Sequence, residues 1–159
     1  MLLTSSINPR IVEALYAETL VLADEVRAQF DSARREGEKL GADDLARVAL
    51  SCEALRTTTR VMHCLAWLLN HRAYFAGELS EIQLRRHGRL VSSVPPSDPD
   101  NCEALTPAML VLVRESEQIY ARIERLERAW RVGAENPGGD GPSAIERLRE
   151  RLALAMRAG

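Results

Sequence analysis

Three stretches of this chain repeat apolar side chains at steps of three and four residues for about six turns or more, a period that only an amphipathic helix satisfies. The most regular lies between residues 43 and 76, where Val48, Cys52, Leu55, Thr59, Met62, Ala66, Leu69 and Ala73 alternate the two steps. Its period is close to 3.5. A second row, Ala54, Thr58, Val61, Leu65 and Leu68, lies beside the first, so the apolar arc spans roughly 200° at 100° per residue. A helix with an arc that wide touches two neighbours.

The other two stripes are narrower. Ile11, Leu15, Thr19, Leu22, Val26, Phe30 and Ala33 mark one helix, started by Asn8 before Pro9 and ending near Gly37. Met109, Leu112, Ser116, Ile119, Ile123, Leu126 and Trp130 mark another, started by Thr106 before Pro107. Asp43 caps the middle helix and Gly77 closes it; Ser80 with Gln83 forms a capping-box pattern that opens a short turn through Arg86. Residues 87–105 hold three prolines among Ser, Asp and Asn, which predicts a long loop.

The expected fold is all-α: an antiparallel three-helix bundle over residues 1–135, with helices at about 9–36, 43–76 and 106–132. Residues 136–159 open on the breaker ENPGGDGP, and Ser143 with Glu146 starts a short Arg-rich segment, so a flexible tail with a short helix is expected there. At 159 residues one domain accommodates all of this.

The balance of 21 basic and 23 acidic residues, interleaved along the helices, leaves no extended positive field for a phosphate backbone. Nucleic acid is therefore not an expected partner. Cys52, Cys64 and Cys102 are an odd count without a C-x-x-C pair, as in a reducing compartment. With no signal-peptide pattern and no apolar run of membrane-spanning length, a cytoplasmic protein without membrane attachment is expected.

Catalytic patterns do not emerge. Di-iron bundles use Glu-x-x-His pairs, but His63, His71 and His87 follow Arg60, Leu68 and Leu84 at that spacing. His63 and Cys64 are adjacent and point about 100° apart on a helix, which makes a poor zinc half-site. There is no Walker loop, no G-x-G-x-x-G and no G-x-S-x-G. No metal, no cofactor and no enzyme activity are expected.

If the middle helix buries its apolar arc, its opposite face carries Glu53, Arg56, Arg60, His63, Trp67, His71 and Tyr74. Trp, Tyr and Arg dominate binding hot spots, so this face is the candidate partner or dimer surface. The competing reading is that a terminus, the 87–105 loop or the last helix covers it and makes Trp67 a core residue. His63 and His71 read as hydrogen-bonded boundary residues rather than pH switches. In the tail, Arg147, Arg149, Arg151 and Arg157 read as a solvated face, or else as a docking segment that folds on binding.

The stretch ALRTTTRVMHCLAWLLNHRAYFAGELS, residues 54–80, resembles the middle helix of the regulator-of-CtrA-degradation family of alphaproteobacteria. The matching residues are Arg56, Thr58, Thr59, Arg60, Met62, Ala66, Trp67, Leu68, Leu69, Arg72, Ala73, Gly77 and Glu78, whereas His63, Asn70 and His71 depart from the pattern. The resemblance implies a non-enzymatic adaptor, a dimeric three-helix bundle that helps the ClpXP protease receive selected regulators during the cell cycle. Its implied partners are ClpX or a response-regulator primer, together with cargo. A helical dimerisation or scaffolding module without a proteolytic role is the alternative.

Overall fold

The computed structural model describes residues 7–92 and 94–135, and the expected tail, 136–159, lies outside them. The described residues are helical, with no β-strand among them: α1 (Pro9–Lys39), α2 (Asp44–Phe75), α3 (Glu81–His87), α4 (Pro99–Cys102) and α5 (Pro107–Glu135).

Each start follows from local chemistry. Asn8 accepts a hydrogen bond from the Arg10 amide at 2.9 Å, and Pro9 occupies the first helical position, where no amide donor is needed. Asp43 caps α2, and the Thr106 hydroxyl accepts from the Met109 amide at 3.3 Å at the start of α5. Ser80 and Gln83 form the reciprocal capping box of α3. α1 runs through Gly37, beyond its expected end, and the chain turns at Gly41, whose φ of 64° suits a residue without Cβ. Gly77, with φ 77°, closes α2 while the Glu78 amide donates back to the Ala73 carbonyl at 2.9 Å.

α1 buries Val12, Leu15, Thr19, Leu22, Val26 and Phe30, one stripe at steps of three and four. The expected stripe opened at Ile11; that residue lies exposed, because Val12 is the one in phase with Leu15 and Thr19. Thr19 is tolerated in the core because its hydroxyl donates to the Leu15 carbonyl at 2.6 Å. On α5, Met109, Leu112, Ser116, Ile119, Ile123 and Trp130 are buried as the spacing predicts, with Leu126 half-buried.

The long helices share one core, but not in simple up-and-down order. α1 opposes α2, since Arg72 near the end of α2 pairs with Glu13 near the start of α1 at 2.7 Å and lies 4.1 Å over the Tyr16 ring. α1 also opposes α5, with Arg122 on Glu18 at 3.1 Å. α2 and α5 instead run the same way: Arg60 meets Ser116, and His71 further along α2 meets Trp130 further along α5. The reason is the connection, which returns along the whole length of α2 before α5 begins.

Residues 88–92 and 94–98 form that return as a strap laid over α2 and α5. Its successive backbone groups meet Glu127 (Leu90 amide, 3.0 Å), Tyr120 (Val91 carbonyl, 2.5 Å), Arg60 (Pro95 carbonyl, 3.3 Å), Glu117 (Ser97 amide, 3.5 Å) and Glu53 (Asp98 amide, 3.1 Å). At its start Gly88 is buried against Leu84: a Cβ there would stand 2.6 Å from both the Leu84 carbonyl oxygen and its Cδ1. The 87–105 segment is not irregular throughout, because Asp98 and Pro99 start the single turn of α4 by the same device that starts α1.

Candidate functional site

The face of α2 expected to meet a partner is turned largely inward. Glu53, Arg60, Trp67 and His71 are buried, while Arg56, His63 and Tyr74 are half-buried. These seven residues do not form an exposed surface in the chain; the strap meets Glu53 and Arg60, and α5 meets Arg60 and His71, in line with the competing reading of the sequence. The physical reason is that the charged groups Glu53 and Arg60 find partners there, although the Trp67 indole N–H and His71 Nε2 are buried without one.

Glu53 accepts from Arg56 at 2.7 Å and from the Asp98 amide, and its carboxylate holds the Arg56 guanidinium above its ordinary value. Arg60 donates to the Ser116 hydroxyl at 2.8 Å and to the Pro95 carbonyl, with Glu117 at 3.7 Å. A guanidinium with several fixed donors is suited to bracing a helix, a strap and a second helix at once.

Further along, the His71 ring stacks on Trp67 at 3.7 Å between centroids and meets Trp130 edge-on at 5.6 Å. His71 Nδ1 lies 2.9 Å from the Trp67 carbonyl and donates to it as the neutral tautomer. Burial lowers the His71 pKa, opposed by that hydrogen bond and by Glu127. Arg85 and Arg131 lie 4.9 and 5.6 Å from the Trp130 ring, closing the cluster. Tyr74 sits beside Phe75, 5.4 Å away.

What faces solvent is the most regular stripe in the sequence. Val48 is 59% exposed, Leu55 69%, Met62 56% and Leu69 47%. Between them Ala66 is exposed, and Cys52, Thr59 and Ala73 are half-buried. Of the second row, Val61, Leu65 and Leu68 are buried, Ala54 is half-buried and Thr58 is exposed. α2 is therefore rotated from the expected orientation, with its heptad stripe outward.

A signal for this was present. A helix apolar on more than one side needs cover on more than one side, and the strict 3.5 period belongs to a seam between helices rather than to a core-facing arc. What periodicity could not show is that Glu53 and Arg60 would find partners in backbone groups of the strap.

Burial pushes the Cys64 thiol up to about 12 and also raises Cys102, so neither is an activated nucleophile. Among the described residues no group of three or more His, Cys, Asp or Glu is placed to hold a metal ion. Among the same residues no helix is long and apolar enough to cross a membrane.

Residues 3–156 match a family described as "Protein of unknown function (DUF1465)", and the chain belongs to that family. No curated protein and no solved structure matches it.

Proposed function

We propose that this member of the DUF1465 family is a non-enzymatic adaptor, a homodimeric three-helix bundle of the cytoplasm that helps deliver regulatory proteins to the ClpXP protease in cell-cycle control. The observation that carries the reading is the solvent-facing apolar stripe of α2, an extended surface of the kind another protein covers. It coincides with the stretch that resembles the regulator-of-CtrA-degradation family: Thr59, Met62, Ala66, Leu69 and Ala73 of that resemblance lie on the stripe. Arg60 and Trp67, also part of it, lie in the internal brace.

The same stripe favours a second reading, a dimerisation or scaffolding module with no proteolytic role. Tagged chain mixed with purified ClpX and with its response-regulator primer separates the two. The adaptor reading expects one of them to be retained, and faster degradation of a primed substrate by reconstituted ClpXP. Retention of neither, under conditions in which a known adaptor retains its partner, refutes delivery and leaves the scaffold.

A further inference from the structure

We propose that the exposed stripe of α2 is the seam of an antiparallel homodimer, with the two-fold axis passing between Arg60 and Val61. This rests on the homodimer of the reading above and is independent of delivery to ClpXP.

The eight stripe positions between 48 and 73 alternate steps of four and three without interruption and carry no charge. An apolar repeat sustained over more than three heptads is the pattern of a helix that coils around another helix. Among the described residues nothing covers it: the large side chains at 48, 55, 62 and 69 are about half exposed or more. Thr57, Cys64 and His71, across the helix from the stripe, are buried. The seam thus points away from α1 and α5.

The residue sizes select the occupant. Large side chains (Val48, Leu55, Met62, Leu69) alternate with small ones (Cys52, Thr59, Ala66, Ala73). Two copies running in the same direction would set large against large and small against small in alternate layers, leaving crowding next to gaps. Two copies running in opposite directions, centred between 60 and 61, set every large residue against a small one. Val48 then meets Ala73 of the second copy, Cys52 meets Leu69, Leu55 meets Ala66 and Thr59 meets Met62. The pairing is reciprocal at every layer, as a two-fold interface requires.

Charge at the rim agrees. The residues flanking the stripe are Ala49, Arg56, His63 and Asn70 on one side and Ser51, Thr58, Leu65 and Arg72 on the other, with no carboxylate among them. Both arginines are already paired within the chain, Arg56 with Glu53 and Arg72 with Glu13. A charged peptide finds little on this rim to complement, whereas a second copy brings no unpaired charge against it.

Native Cys52 supplies the test, made on the full chain in a Cys102→Ser background. Cys52 and position 69 are about 25 Å apart along one helix and cannot bridge within a chain. Across the proposed seam they are opposite one another. Leu69→Cys is therefore expected to run as a covalent dimer on a non-reducing gel after mild oxidation, while the parent, which keeps Cys52 and the buried Cys64, stays uncrosslinked. In sedimentation equilibrium the native chain is expected to be dimeric and Leu55→Asp to dissociate about a hundredfold more readily, with helix content unchanged. A monomeric native chain, or a dimer undisturbed by Leu55→Asp, overturns the seam. Crosslinking of the parent through Cys52 overturns the antiparallel arrangement, as does failure of Leu69→Cys to crosslink. None of these readouts involves ClpX, so they stand or fall apart from the adaptor reading.

Discussion

Replacing Trp67 by alanine distinguishes a surface anchor from a core residue by magnitude alone. The indole is about 1% exposed, stacked on His71 and enclosed by α2 and its neighbours. Truncating a buried aromatic costs about 3–5 kcal/mol through lost burial and the cavity left behind, and loss of the His71 stack adds about 0.5–1.5 kcal/mol. One effect opposes these. The indole N–H is buried without a hydrogen-bond partner, and removing such a group relieves about 1–3 kcal/mol. The cavity and burial terms win, leaving a net loss of about 3 kcal/mol out of the roughly 5–15 kcal/mol that a domain possesses. Urea denaturation followed by far-ultraviolet circular dichroism measures this at a fixed protein concentration, since dimerisation couples stability to concentration. With a slope of about 2 kcal/mol per molar, the midpoint should fall by about 1.5 M. A midpoint within about 0.25 M of the native chain, corresponding to the roughly 0.5 kcal/mol typical of surface substitutions, refutes the placement of Trp67 in the core.

Gly88→Ala should destabilise by about 1–3 kcal/mol, read as a lower melting temperature, because its Cβ would meet the Leu84 carbonyl at 2.6 Å; an unchanged melting temperature refutes the tight approach. For His71, burial lowers the folded pKa below the ordinary 6.5, so the unfolded chain takes up the proton first as pH falls. Stability is therefore fully present above 6.5 and declines below it toward the folded value. The urea midpoint should drop over that range in the native chain and drop less in His71→Phe, which keeps a ring on Trp67; parallel profiles would refute the assignment.

Much of the architecture was legible because it rests on local rules. The Asn8-Pro9 start, the Ser80 and Gln83 capping box, the Gly77 stop and the α5 stripe all involve residues within a turn or so of one another. The rotation of α2 was not legible, because rival apolar rows lie side by side on it and the choice between them depends on what packs against Glu53 and Arg60. Those partners, the Asp98 amide and the Pro95 carbonyl, belong to a segment whose side chains say nothing of where its backbone will lie. α4 is a different case. Asp98-Pro99 repeats the cap-and-proline signal of Asn8-Pro9, but one short turn is easily lost among neighbouring prolines.

The strap places its sequence constraint in an unusual position. The five polar ties that the described residues of 88–98 make to α2 and α5 end on backbone amides and carbonyls of the strap, and the side chains that make them belong to the two helices. Apart from Gly88 and the buried Leu90, the described residues of the strap can be exchanged for any that keep the backbone amide without losing one of these ties, whereas exchange of Glu53, Arg60, Glu117, Tyr120 or Glu127 releases part of it. Among relatives with this arrangement, the helices rather than the connection should therefore preserve the record of how the connection runs.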